Sequence, residues 1–184
     1  MARTPSNMLE LRTQASNFSL LDTASDQTRS LTDLKGKNGT VIMFICNHCP
    51  FVIHVNDELV NVANKYQEKG IGFIAISSND VVNYPQDSPE LMATHAATVG
   101  YPFSYLYDET QEIAKAYDAA CTPDFYLFDA DLKLTYRGQL DDSRPGNGLP
   151  VTGNDLRYAI DCVLNNKENT QLQKPSIGCN IKWK

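Results

Sequence analysis

The sequence predicts an α/β fold on a sheet that mixes parallel and antiparallel strands, and three stretches carry that expectation. Two continuously apolar, β-rich runs, Thr40–Ile45 (TVIMFI) and Ile71–Ile76 (IGFIAI), have the pattern of strands covered on both faces. Between them, Val52, Val55, Leu59, Val62 and Tyr66 recur every three or four residues, one buried stripe on a helix that Gly70 stops. Strand, helix and strand with a short return make a right-handed βαβ unit whose strands are parallel. Further on, Asp124–Asp129 and Leu132–Arg137 flank a turn at Asp129–Asp131, a hairpin that supplies the antiparallel pairing.

The other elements follow in order. Residues 1 to about 16 show no periodicity and read as an N-terminal arm. Asn17–Leu21 and Ser30–Leu34 read as two short strands joined by Asp22–Arg29, with Gly36 and Gly39 as punctuation before the first long strand. Ser88 as cap and Pro89 in the first turn open a helix that runs to about Val99 and ends at Gly100. Phe103–Tyr107 is a short strand. Asp108-x-x-Gln111 is a variant capping box heading a helix that carries Ile113, Ala116 and Tyr117. Leu156, Ile160, Val163 and Leu164 mark the last helix, and about 166–184 form a polar tail. With no internal repeat or low-complexity stretch, residues 1–184 read as one domain with an arm and a tail.

Composition narrows the function classes. The chain has 184 residues, 42% apolar and 21% charged, which is ordinary for a soluble globular protein. A net charge of −6 without any Lys/Arg run argues against nucleic acid or an anionic membrane as partner. No stretch nears the ~18 apolar residues of a membrane span, and the first twenty residues lack the apolar core of an export signal. The expected compartment is the cytoplasm. There, cysteines 46, 49, 121, 162 and 179 are no disulfide scaffold, because reducing pools keep such thiols open.

Chemistry concentrates in Phe44-Ile45-Cys46-Asn47-His48-Cys49-Pro50, where an apolar strand runs into an amphipathic helix. Two thiols at Cys-x-x-Cys spacing can close a small disulfide ring, and a helix N-terminus favours thiolate, the only form that attacks disulfides or peroxides. Cys46, nearer the loop, is the expected exposed attacking thiol; Cys49, in the first helical turn, is the expected resolving thiol. A structural zinc site wants a second ligand pair at similar spacing, and none is present, so no metal is assigned. His48 is either a solvent-exposed loop histidine or a ring that lowers the Cys46 pKa and makes the disulfide more oxidising. His54 falls on the polar side of its helix, and His95 shares a face with Leu91 and Met92 as a packing histidine. Cys121 is either close to the thiol pair or simply packed, and Cys162 sits inert on the last helix. Cys179 is either a loose tail thiol or a third redox thiol on a tail that folds back to Cys46 and Cys49.

CNHCP behind a buried strand, the βαβ unit and CTPDFYLFD together resemble the thioredoxin superfamily. The added N-terminal strands and the insert from Ser77 to Tyr107 resemble its redoxin branch. CNHCPFV, CTPDFYLFD, YRGQLDDSRPGN and the final PSIGCNIKWK, spanning nearly the whole chain, are similar to a subgroup of peroxiredoxin-like, AhpC/TSA-family proteins. The resemblance implies a thioredoxin-like three-layer α/β/α sandwich with a central mixed sheet. It also implies a cis Thr122–Pro123 bond packed beside the thiols, with a backbone able to pair with a substrate strand.

The departures are equally specific. Peroxiredoxins carry a Thr three residues before the peroxidatic Cys, where Met43 stands here, and the arginine they use near the later strand entry is replaced by Thr122-Pro123. Fast peroxide reduction is therefore not implied. Thioredoxins assist the resolving Cys with a buried Asp; Thr40 stands near that position, which leaves Asp141 or Asp142 as candidate proton acceptors. The leading expectation is a thiol–disulfide oxidoreductase acting on protein or small-molecule thiols and disulfides, without a cofactor, with a reductase or glutathione as electron donor. The alternatives are a hydroperoxide-reducing redoxin with an antioxidant role, resolved by Cys49 or Cys179, and a copper- or metal-handling protein. By analogy with redoxins that dimerise, a homodimer is an open expectation.

Overall fold

A computed structural model describes residues 3–184. The chain opens with β1 (Arg3–Pro5), crosses the molecule, and forms a hairpin from β2 (Ser19–Asp22) and β3 (Gln27–Ser30). Here the sequence reading needs correcting: Ser30–Leu34 is not a strand. Ser30 Oγ accepts from the Asp33 N–H while the Asp33 carboxylate accepts from the Ser30 N–H, a capping box that winds Leu31–Leu34 into a single helical turn, α1. The second hairpin strand is therefore Gln27–Ser30, mostly inside the Asp22–Arg29 stretch read as a connection.

The central unit is as the periodicity implies. Strand β4 (Gly39–Phe44) is buried along its whole length, α2 (Pro50–Gln67) buries Val52, Val55, Leu59, Val62 and Tyr66, and β5 (Ile71–Ser77) pairs with β4 in parallel. Helix α3 (Pro89–Val99) is capped by the Ser88 hydroxyl and ends at Gly100, whose φ of 79° is the left-handed conformation that closes a helix without a Cβ penalty. β6 (Ser104–Tyr107) then pairs in parallel with β5.

Helix α4 (Glu112–Ala116) starts differently from the expected capping box. Gln111 is the cap residue, left-handed at φ 64°, and its side chain instead donates to the Ser78 and Lys182 carbonyls; the Asp108 carboxylate accepts from the Ala114 N–H. After β7 (Cys121–Thr122) come the cis Thr122–Pro123 bond, β8 (Asp124–Asp129), β9 (Leu134–Gly138), α5 (Asn154–Leu164) and β10 (Ile177–Asn180).

Seven strands form one mixed sheet in the order β3-β2-β6-β5-β4-β8-β9. Because strand side chains alternate, β4 divides the core: Val41, Met43 and Ile45 pack among residues of α2, α3 and α5, while Ile42 and Phe44 pack among residues of α1 and α4 on the opposite face. Each such buried side chain stabilises the fold by roughly 1.5–3 kcal/mol. The result is the thioredoxin-like three-layer sandwich that the resemblance implied.

A second, three-stranded sheet was not legible from the sequence. Its order is β1-β10-β7, so the N-terminal arm and the tail are strands of one small sheet built on Cys121–Thr122. Both flanks of β10 are tied down: Ser176 Oγ donates to the Pro123 carbonyl at 2.6 Å, and the Ile181 N–H donates to the Ala120 carbonyl at 3.2 Å. Within the tail, Ser176, Gly178, Cys179 and Ile181 are buried, while the stretch before Ser176 stays largely exposed.

Candidate active site

The thiol pair stands where the sequence puts it, at the carboxyl end of β4. The Ile45 N–H still bonds to the Ile76 carbonyl, Cys46, Asn47 and His48 form the crossing, and Cys49 is the cap residue of α2, with Pro50 first in the helix. The partial positive charge of the helix end thus falls directly on Cys49 rather than on Cys46. Across from the pair lies Thr122: its hydroxyl is 3.5 Å from Cys46 Sγ, and its carbonyl accepts from Cys49 Sγ at 3.1 Å.

Cys46 is not the exposed thiol that was expected. It is 1% exposed and Cys49 0%. Two pieces of chain cover them. One is the segment between β5 and α3, whose buried Asp87 accepts from the Asn47 N–H at 2.9 Å, while the Asn47 side chain donates to the Gln86 carbonyl. The other is β10, where Cys179 lies opposite Thr122 in antiparallel register and hydrogen-bonds through both its thiol and its backbone to Cys49. Cys179 is itself only 2% exposed. Three thiols therefore meet at one point: Cys46 beside Cys49, and Cys49 beside Cys179.

His48 is neither a loose loop residue nor isolated. Its Nδ1 lies 2.7 Å from Asp87 Oδ2, its ring stacks on Tyr84 at 5.8 Å and 10°, and its side chain keeps 21% exposure, the surface end of the site. Asn79 Nδ2 holds the same Asp87 oxygen at 2.8 Å. Yet His48 Nδ1 makes no well-directed hydrogen bond, so the two atoms converge rather than share a linear proton. Cys46 Sγ, a His48 ring nitrogen and an Asp87 oxygen all lie within 4.8 Å of one another. Sequence reasoning missed Asp87: forty residues separate it from the thiols, and an acid just before a Ser-Pro helix start looks like ordinary capping.

The electrostatics are those of a coupled pair. Cys46 and Cys49 are hydrogen-bonded to each other, so they lose a first proton below the ordinary thiol value and a second well above it. The Cys46 hydrogen bond does most to draw Cys49 down, to about 4; Thr122 and the Cys179 thiol and N–H add to it, against the opposing effect of burial. The Thr122 carbonyl opposes them too, since a thiolate cannot donate to it, but one acceptor is outnumbered by these donors and the helix end. At Cys46 the same S–H···S bond, then burial, then the Asp87 carboxylate all push upward. Cys179 is pushed up to about 12, by burial first and then by its bond to Cys49.

The remaining candidates fall away from this point or pack beside it. Cys121 is buried, its thiol 3.7 Å from the Pro123 carbonyl, and burial holds it strongly protonated. Cys162 is buried on α5. Asp141 accepts from Ser143, Thr152 and Gly153 N–H groups, Asp142 pairs with Lys174, and the groups hydrogen-bonded to Cys49 are Cys46, Thr122 and Cys179 instead. His54 is not simply solvated, since its Nε2 lies 2.8 Å from the Ser143 hydroxyl; His95 is the half-buried packing residue expected, its pKa lowered by burial.

A family model described as AhpC/TSA matches residues 11–137, more than half of the chain. The chain belongs to the AhpC/TSA family. Over its full length this AhpC/TSA protein is similar to a solved structure described as an uncharacterized conserved protein from Geobacillus kaustophilus, at 60% identity and TM-score 0.98, covering 100% of this chain and 97% of that one. A hypothetical protein from Sinorhizobium meliloti is 45% identical at TM-score 0.96, with 98% of each chain covered. A putative thioredoxin from Neisseria meningitidis is 25% identical at TM-score 0.63, covering 83% of this chain and 90% of that one. No curated protein matches the chain. Among the described residues of this AhpC/TSA protein, no helix is long and apolar enough to cross a membrane.

Proposed function

We propose that the protein is a thiol–disulfide oxidoreductase whose working group is the Cys46/Cys49 pair, with Thr122-Pro123 as its docking wall and His48 tuning the thiols. The carrying observation is the hydrogen-bonded pair of sulfurs facing Thr122 at the end of β4. Likeness to a putative thioredoxin supports the same reading. In the first step Cys46 attacks a disulfide sulfur as its shared proton passes to Cys49, a mixed disulfide forms, and a thiolate leaves. That thiolate takes the proton back, and Cys49 then attacks Cys46 Sγ and releases the second sulfur as a thiolate, which water protonates. The departing thiolate is thus the acceptor for the Cys49 proton, and neither Asp141 nor Asp142 is needed. Under this reading the electron donor is a reductase or glutathione, and the setting is the cytoplasm.

The test is thiol counting by mass spectrometry after equilibration in glutathione buffers, for wild type, Cys46→Ser and Cys49→Ser. A Cys46–Cys49 disulfide with a potential between about −270 and −120 mV is expected, and neither variant should form it. A wild-type pair that stays reduced throughout sinks the reading. Peroxide reduction finds less support: Met43 replaces the expected Thr, and the buried Arg137 gives its donors to Tyr117, Asp118 and Asp124 rather than to Cys46.

One observation favours a second reading. Cys46, His48 and Asp87 converge as one sulfur, one nitrogen and one oxygen, a donor set suited to zinc or copper rather than to magnesium or calcium. Tyr84 and Asn79 hold the ring and the carboxylate in place. Stoichiometric zinc binding by the dithiol, lost in His48→Ala and in the oxidised protein, would establish a metal-handling role.

A further inference from the structure

The β10 strand has a consequence for what the pair can act on, and it rests on the oxidoreductase reading above. A protein disulfide reaches a buried thiol pair by bringing an extended segment that adds to an open strand edge. The edge beside these thiols is Cys121–Thr122, and it is already taken: Thr122 is paired with Cys179 and Cys121 with Asn180. The fit is tight. A Cβ on Gly178 would fall 1.9 Å from the Thr122 carbonyl oxygen, so only a glycine reaches this close to the wall.

Nor is the strand held at one point. Ser6 and Ser176 exchange hydrogen bonds at 2.9 Å on its outer side. Beyond its end, Lys182 donates its N–H to Asn79, and its carbonyl accepts from the Asp80 N–H and from Gln111. On the other side of the pair, His48 keeps 21% side-chain exposure with a ring nitrogen within 4.8 Å of Cys46 Sγ, and this is the side from which a small molecule would approach.

We infer that the pair serves low-molecular-weight disulfides rather than protein disulfides, and that Cys179, on the chain's own strand, occupies the place of a substrate thiol. The electrons balance without a further reagent. A small disulfide RSSR takes two electrons from Cys46 and Cys49; its S–S bond breaks, the Cys46–Cys49 bond forms, and the products leave as RSH, carrying the proton that the pair shares, and as RS⁻, which water protonates. Cys179 then attacks Cys49 Sγ; the Cys46–Cys49 bond breaks, the Cys49–Cys179 bond forms, and the proton given up by Cys179 ends on the released Cys46 thiol. This second step is an exchange and moves no electron to or from solution. It parks the disulfide under β10 and returns Cys46 to the His48 side.

The experiment mixes reduced, reductant-free protein with hydroxyethyl disulfide or with insulin in a single turnover and follows thiol loss and disulfide-linked peptides by mass spectrometry. A strand-like substrate can bind only molecules whose β10 is detached, so wild type should react with insulin at least about tenfold more slowly than with hydroxyethyl disulfide. The wild-type peptide map should contain Cys49 linked to Cys179. Gly178→Val, which drives β10 off the Thr122 wall, should narrow the ratio by raising the insulin rate; Cys179→Ser should keep the ratio and lose the linked peptide. Equal wild-type rates with both substrates overturn the inference and leave the oxidoreductase reading standing. If neither disulfide oxidises the wild type, that reading fails and the inference with it. Should Gly178→Val not fold, the wild-type ratio and the Cys179→Ser peptide map decide.

Discussion

At the scale of single residues, the site turns on how three sulfurs divide their protons. Cys49 carries the depressed value and Cys46 and Cys179 the raised ones, so one thiolate should persist down to about pH 4 and the others should form only in alkali. The sign is that of a depressed acid: the anion is present above the folded value and lost as pH falls through it. Ultraviolet thiolate absorbance, followed downward from neutral pH, should show this low step in wild type and lose it in Cys49→Ser. Asp87 acts on the second ionisation, since its carboxylate is one of the groups that push Cys46 up. In Asp87→Asn the Cys46 step should therefore move to lower pH; an unchanged step would remove Asp87 from the electrostatics of the pair. The sequence made Cys46, Cys49 and His48 visible because their spacing is local. Asp87 was invisible because nothing in a buried carboxylate's neighbours along the chain says which loop it will meet.

At the scale of elements, the hairpin after Pro123 carries an ion pair that deserves a measurement. Arg137 and Asp124 are both fully buried and lie 3.0 Å apart, and Arg137 also donates to the Tyr117 and Asp118 carbonyls and rests over the Tyr126 ring. Removing one partner of such a pair strands the other charge in the core. Arg137→Leu should cost about 3–5 kcal/mol in urea unfolding, and adding Asp124→Leu should recover much of that loss. Element legibility followed burial. β4, α2 and β5 were readable since both faces or one full stripe are apolar, whereas Ser30–Leu34 was misread because five residues carry too little periodicity to separate a strand from one helical turn. The four-residue β10 (IGCN) gave no strand signal: it is too short for a period-2 pattern and is placed by its pairing with Thr122 and Arg3.

At the scale of the whole molecule, both ends of the chain converge on the thiol pair from outside the main sheet. β1 is the outer neighbour of β10, with Arg3 opposite Cys179 and Pro5 opposite Ile177. Deleting residues 1–6 should leave the seven-stranded sheet intact yet loosen β10. Faster alkylation of Cys179, with amide exchange protection lost along 177–180 and retained in β4 and β5, would be the signature. Patterning pointed to the βαβ unit and the place of the dithiol, and the family resemblance to the sandwich, but neither could show that an unpatterned arm and a polar tail close over it. There is also an order in time. Translation delivers Cys46 and Cys49 more than a hundred residues before Cys179, so on the ribosome the pair stands without β10, at the end of a strand that has already found its partner β5. A chain halted before Ser176 would keep the Asp87 segment over the thiols but leave the Cys121–Thr122 edge unpaired, open to an extended segment that carries a disulfide.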